Sequence, residues 1–377
     1  MCRSCNSATN SEATCNLKIF YSDSLQGPPL ERIFFNCQDM NNSAPLELGT
    51  EKVGTLLRRY AMPAIIAQTA TSLYNMVDSI FIGQGCGALA ISGLAIMFPL
   101  MNLSIAFGTL VGIGGSTLIS VLLGQKNYQA AQKVLGNLFL LNILIGAAFS
   151  TISLAFLNPI LRFFGASDAT LPYAREYLIP ILLGNIVTHL YFGFNGIVRV
   201  SGHPKRAMYA TLLTVCLNTL LDPLFIFVFK MGIQGAAIAT VLAQCVSLAW
   251  LMRILTDKRE FLHLTKENFG IDWQIARRSS SIGMSPFLMN VAACFVVIFI
   301  NNQLKRYGGD LHIGAYGIVN RLIFIFFMVI MGLNQGMQPI AGYNYGAKLH
   351  GRVMEVLKLA MFWASVLTCS CFVMGMF

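Results

Sequence analysis

Two aspartates lie deep inside long apolar runs, where an acid is rare and costly. Asp78 closes the segment Leu73-Tyr-Asn-Met-Val-Asp78, and Asp222 stands in Leu217-Asn-Thr-Leu-Leu-Asp-Pro223. Among the 16 acidic residues, only these two sit well away from the tail, the loops and the ends of apolar segments. Holding a carboxylate in hydrocarbon costs at least about 2.5–3.5 kcal/mol, so such a residue is read first as functional. On a helix, Tyr74 and Asn75 share the face of Asp78, and Asn218 shares that of Asp222. Pro223 has no N–H, so the carbonyl of Thr219 loses its helical donor. Thr240, in the next apolar run, offers a hydroxyl to the same space. Carboxylate, amide, hydroxyl and freed carbonyl together make a set of oxygens suited to a proton or a small cation, with Na⁺ the metal expected at Asp78, Asn218 and Asp222. Two carboxylates in one dry pocket cannot both stay charged without a partner. The pocket is therefore expected to alternate between protonated and cation-filled states.

The elements that position these groups follow from composition. The chain has 377 residues, 55% of them hydrophobic and only 11% charged. A soluble protein carries about 25% charged residues. This supply cannot cover a soluble globule, which excludes soluble enzymes, nucleic-acid binders and secreted disulfide scaffolds. The fold class expected is an all-α polytopic membrane protein. Apolar spans run over 60–82, 91–123, 134–157, 177–198, 207–229, 233–252, 282–304, 313–345 and 353–377. Each reaches the length of about 20 residues that crosses a hydrocarbon core. Nine spans put the loops alternately on two sides. One set holds most of the 26 basic residues, among them Arg58, Lys126, Arg206, Arg259 and Lys348. The other holds only Arg162, Arg175, Lys230, Lys305 and Arg306. The positive-inside rule places the first set and the N-terminus in the cytoplasm, in a multi-pass protein of the plasma (cytoplasmic) membrane. The net charge of +10 is thus an orientation signal and a contact with anionic lipid headgroups, and no nucleic-acid partner is expected.

Residues 1–50 differ in kind and read as a disordered polar tail, with Met40 a second candidate start. Cys2 and Cys5 form a CxxC without a second half, so no zinc site is expected. The chain also repeats itself. Gly114 falls on Gly336, Gly124 on Gly346 and Lys126 on Lys348, an offset of 222 residues. The offset holds an even number of spans, so the copies share one orientation and their axis runs along the membrane normal. The domains expected are an amino-terminal six-helix lobe over 51–256, a cytoplasmic linker over 257–280 and a partial carboxy-terminal lobe of three helices over 281–377. A complete second copy needs about 100 further residues, three spans of about 20 residues with their loops.

At these residues the sequence resembles the multidrug and toxic compound extrusion (MATE) family, over about residues 54–377. The motifs that carry the resemblance are Tyr74-Asn-Met-Val-Asp-Ser-Ile-Phe-Ile-Gly83, Arg199-Val-Ser-Gly-His-Pro-Lys205, Asn218-Thr-Leu-Leu-Asp-Pro223 and Gly232-Ile-Gln-Gly-Ala-Ala-Ile-Ala-Thr240. The resemblance implies twelve helices in two lobes around a central cavity. It also implies exchange of Na⁺ or H⁺ inward for organic, often cationic, drugs outward. It places Tyr74, Asp78, Asn218, Asp222 and Thr240 at the amino-lobe cation site, and Pro63 where the first helix bends. No acid lies in the span over Phe287 to Leu304, so a second cation site is not expected there.

Other polar residues have plainer readings. Arg321, Gln335 and Gln338 are candidates for the substrate cavity. His189 reads as a satisfied packing residue. Gln68, Asn102, Asn142 and Asn185 are expected to make hydrogen bonds between helices. Gly112, Gly114 and Gly115 suit close packing, and no P-loop follows them. The function expected is a cation-coupled antiporter for organic cations, a monomer without cofactor other than the coupling ion. A flippase for lipid-linked oligosaccharides is the alternative, weakened by the lack of a basic cavity. An enzyme would need acid or histidine clusters at a membrane face, and the loops carry only isolated acids.

Overall fold

Long runs of Leu, Ile, Val, Ala and Phe with few charges favour helices, since a helix satisfies its own backbone in a medium without water. The computed structural model bears this out. It describes residues 47–265, 268–308 and 310–376, and the side chains at 310–311, 321–325, 371 and 374–376 are not among those described. The helices are α1 (Glu47–Thr50), α2 (Val53–Cys86), α3 (Ala88–Gly124), α4 (Tyr128–Ala155), α5 (Leu157–Phe163), α6 (Leu171–Leu183) and α7 (Asn185–Val200). They continue with α8 (Pro204–Pro223) and its π turn (Leu224–Val228), α9 (Gly232–Thr256), α10 (Trp273–Gly308), α11 (Asp310–Gly346) and α12 (His350–Met376). No strand occurs among the described residues.

By length and apolarity, six helices among the described residues reach membrane-crossing size: α3, α4, α8 with its π turn, α9, α10 and α12. The pair α6 and α7 makes a seventh, bent by 58°. The sequence pattern had one span over 177–198 here. Pro180 withdraws a backbone donor inside α6. Gly184 then lets α9 press against the joint, where an added Cβ would meet Val241 at 2.5 Å. The helix breaks at that point. The short helix α5 fills a stretch read as loop. Pro63 lies buried within α2, which runs unbroken through it. Pro223 ends α8, and the chain continues as a π turn in which the Phe229 N–H reaches Leu224 O at 3.0 Å.

The expected polar tail lies outside the described residues, with Cys2, Cys5, Cys15, Cys37 and Met40, up to residue 46. Its last four residues form α1. Leu48 is buried there, and its carbonyl accepts from Asn344 Nδ2 at 2.9 Å and Arg352 at 3.3 Å. In the expected linker, Phe261 and Leu262 are buried, and Asn137 of α4 donates to Gly270 O and Asp272 O at 3.2 Å. Asp272 caps α10 through Gln274 N at 2.8 Å, so this helix takes up the last eight residues, 273–280, of the expected linker.

The two copies of the repeat meet through glycines. At the ends of α3 and α11 the same left-handed turn recurs, with Lys126 at φ 58° and Lys348 at φ 60°. Asn127 N bonds Leu122 O at 2.9 Å, and Leu349 N bonds Asn344 O at 2.8 Å. The contacts are reciprocal. A Cβ on Gly124 would lie 2.0 Å from Tyr343 O, and one on Gly346 would lie 2.0 Å from Val121 O. These two pairs map onto each other by the offset of 222 residues. Ser120 Oγ closes the crossing by donating to Pro339 O at 2.7 Å. A second pair follows the same rule: Gly114 abuts Ser279 and Gly283 of α10, and Gly336 abuts Ala61 of α2. Small residues let the backbones approach, which is how helices associate where lipid removes the hydrophobic drive.

Adding one methyl at either side of this crossing should force the helices apart. Gly124→Ala and Gly346→Ala are each expected to destabilise the protein by about 1–3 kcal/mol, and to similar extents. Thermal unfolding in detergent measures this. An unchanged melting temperature for either variant would contradict the close approach.

Candidate functional site

Three helices bring the expected groups together. α2 carries Asp78, packs on α8 and so faces Asn218 and Asp222, while α9 lies beside α8 and adds Thr240. All four are buried: Asp78 is 5% exposed, Asn218 and Asp222 1%, and Thr240 7%. The charges of Asp78 and Asp222 act on one another across the α2–α8 contact. Tyr74 and Asn75 lie half-buried one turn back along α2. The π turn after Pro223 widens the helix directly beyond Asp222, a distortion common at functional sites.

The hydrogen bonds define what the pocket lacks. Asn218 Nδ2 donates to Asp222 Oδ1 at 3.2 Å and to Thr240 Oγ1 at 3.0 Å, which uses both amide protons. Thr240 in turn donates to Ala236 O at 3.1 Å, its own helical carbonyl. Asn218 and Thr240 then have no further proton to give. Asn218 Oδ1 and Asp222 Oδ2 remain buried without a hydrogen-bond partner among the described residues. A buried acceptor left unpaired costs roughly 1–3 kcal/mol, and more when charged. Two such oxygens beside a second carboxylate call for positive charge. A proton on Asp222 Oδ2 would supply a donor. A small cation such as Na⁺ would be held by the same oxygens, which are hard ligands suited to it.

The remaining expected residues are spread more widely. Gln338 donates to Ile113 O at 3.4 Å and also to Thr117 Oγ1, which places it at the α3–α11 crossing. Gln335 is half-buried nearby on α11. The side chain of Arg321 lies outside the described residues. Gln68 reaches Met328 of α11 and Asn185 reaches Gly146 O of α4 at 3.4 Å, both between helices. Asn142 instead donates to Leu138 O within its own helix at 2.8 Å, because Gly193 of α7 packs against its amide and leaves no partner across the gap. His189 is buried, with Nε2 3.2 Å from Ser104 Oγ, and Ser104 donates to Asn185 Oδ1 at 2.5 Å. Its Nδ1 has no partner among the described residues, so it is packed but only half satisfied. A groove of about 610 Å³ opens between α3, α4 and α5. It is lined by Phe107, Phe149, Ile152, Ile160 and Phe163 and does not reach the aspartates.

Sequence reasoning missed a second polar set below the aspartates. It comprises Thr188 with Gln244, Thr214 with Ser247, and Thr211 with Tyr191 and Asn195. The spacing of Thr211, Thr214, Asn218 and Asp222 along one face of α8 was the available signal.

The chain matches known proteins over most of its length. The family model described as MatE matches residues 63–224 and 282–377. The multidrug export protein MepA of Staphylococcus haemolyticus is 28% identical over 315 residues, covering 84% of this chain and 69% of that protein. MepA of Staphylococcus aureus is 27% identical over 317 residues, with 84% and 70% covered. Among solved structures, the MATE multidrug transporter DinF-BH superposes with a TM-score of 0.81 at 36% identity. It covers 88% of this chain and 74% of that one. An outward-facing MATE transporter of the MOP superfamily gives 0.79 at 24% identity, over 87% and 73%, a likeness of fold.

The amide bridge makes a stability prediction. Thr240→Val keeps the shape of the side chain but leaves one Asn218 proton unbonded. It should cost about 1–3 kcal/mol, while Thr240→Ser should cost much less. Unfolding in detergent would read both. A valine variant as stable as the parent would show that the bridge carries no weight.

Proposed function

Since the chain belongs to the MatE family, whose model spans most of it, we propose that it exports organic cations in exchange for H⁺ or Na⁺ at Asp222. The observation that carries this reading is the pair of buried acceptor oxygens, Asn218 Oδ1 and Asp222 Oδ2, next to the Asp78 carboxylate. The relatives named for multidrug export support drugs as the cargo. No basic cavity faces the site among the described residues that would grip a diphosphate, and an oligosaccharide flippase is not favoured.

The cycle follows from charge. A cation entering from outside neutralises Asp222 and satisfies the two oxygens. The pocket then loses its attraction for a positively charged drug, which leaves. Release of the cation to the cytoplasm restores the negative pocket, which again attracts a drug. The repeated halves rock about the α3–α11 crossing to change the side on which the cavity opens. A one-for-one exchange of monovalent cations moves no net charge, so the concentration gradient of the incoming ion drives it, and a tenfold ion gradient, worth about 1.4 kcal/mol, sustains about a tenfold drug gradient. The protein acts in the plasma membrane with its N-terminus in the cytoplasm.

Export of ethidium from cells and from proteoliposomes, with imposed H⁺ or Na⁺ gradients, tests the reading. Asp222→Asn and Asp78→Asn should each reduce gradient-driven export by at least tenfold, while Asp168→Asn on the surface should not. Undiminished export by both buried variants would refute cation coupling at this pocket.

A further inference from the structure

The polar groups below Asp222 form a seam, a ladder of successive hydrogen-bonded rungs between α7, α8 and α9. The uppermost rung is Asp222, Asn218 and Thr240. One turn further along α9, Gln244 accepts from Thr188 at 2.5 Å. One turn further along α8, Thr214 donates to Ser247 at 2.7 Å. Next come Tyr191 Oη, 3.3 Å from Thr211 Oγ1, and Asn195 Nδ2, 3.2 Å from that hydroxyl. The last internal member is Arg199, whose guanidinium donates to Asn195 Oδ1 at 2.8 Å. Just beyond it the loop holds His203, with Nε2 2.8 Å from Glu260, and Arg206 on the same carboxylate. The rungs thus run in order from the buried aspartate towards the His203–Glu260 pair, at the face that charge placement assigns to the cytoplasm.

Most of its members are well buried. Thr214 is 5% exposed, Tyr191 4%, Asn195 6% and Ser247 0%. Three helices each place polar residues at spacings of three or four along the facing stripe, which keeps the rungs about one turn, 5.4 Å, apart. Hydroxyls dominate it. A hydroxyl can accept a proton on a lone pair and pass on its own, which neither a methyl nor a carbonyl can do. Polar glue between helices accounts for each pair taken singly, but not for the pairs following one another from the aspartate towards the His203–Glu260 pair.

We infer that this seam is the inward exit route of a proton from Asp222, resting on the reading of that residue as the coupling site. The proton leaves Asp222 for the Thr240 hydroxyl side of the pocket. Each following hydroxyl, Thr214, Ser247, Thr211 and Tyr191, accepts one proton and releases its own to the next, with a water bridging a turn where needed. A proton emerges at the His203–Glu260 pair. Every relay group ends as it began, so the net change is one proton moved from Asp222 to the cytoplasm. Arg199 fixes the Asn195 amide at the lower end.

The test uses the full-length protein in proteoliposomes, with ethidium as cargo and a trapped pH dye. Tyr191→Phe, Thr211→Val and Thr214→Val, singly and together, remove hydroxyls while keeping shape. They should slow proton release and proton-driven ethidium exchange, tenfold or more for the combination, with ethidium affinity changed less than twofold. Thr214→Ser should restore the rate, which a packing role for the methyl would not predict. Should the combined variant not fold, the single Tyr191→Phe carries the same test. Exchange at the parent rate in folded variants, while Asp222→Asn abolishes it, would overturn the seam and leave the coupling site standing. Proton-driven exchange that survives Asp222→Asn would overturn both. Exchange driven by sodium without proton movement would also overturn the seam.

Discussion

A carboxylate buried in a helix bundle must find positive charge, and the rest of this structure is arranged around that need at Asp222. The Asn218 amide spends both protons, one on Asp222 and one on Thr240. What remains is a concentration of oxygen lone pairs with Asp78 close by. Neither burial nor packing can settle such a pocket, since each charge removed from water costs several kcal/mol. On the proposed function an arriving cation would settle it, and its departure would restore the imbalance.

The scaffold serves this site by keeping helices rigid and closely packed where they cross. The crossing of α3 and α11 depends on Gly124 and Gly346 lying against backbone carbonyls of the opposite helix. The reciprocity of the two contacts gives the crossing a local twofold character. A joint with two equivalent sides can be rolled without losing contact, whereas interdigitated large side chains would have to unlock. The same preference for small residues appears at Gly114 and Gly336, which seat α10 and α2. The bend at Gly184 and the π turn after Pro223 depart from regular helix on either side of α9, the helix that carries Thr240.

Much of this was legible in the sequence, for identifiable reasons. Asp78 and Asp222 stood out because an acid in an apolar run is costly, and each has polar neighbours on its own helix face. Asn218 followed from its spacing, since a residue four positions away shares a helix face. Thr240 was a candidate because it lies in the next apolar run, and the resemblance then added it to the cation site. The bend at Gly184 was hidden because a short apolar run reads the same whether straight or broken. Gly124 and Gly346 were visible as repeat partners, but not that they meet backbone carbonyls across the crossing. The seam from Thr240 to Arg199 escaped because threonine and serine are common in membrane helices and often bond their own carbonyls, as Thr211 and Thr214 also do here. Their significance depends on three helices facing one another.

The central claim is that Asp222 takes up and gives back a cation. Infrared difference spectroscopy of the carboxyl C=O stretch reads this directly. On lowering pH, the protein should develop a protonated-carboxyl band that Asp222→Asn removes and Asp168→Asn keeps, and added sodium should displace it if Na⁺ shares the site. A spectrum in which Asp222→Asn changes no carboxyl band under any of these conditions would contradict the account.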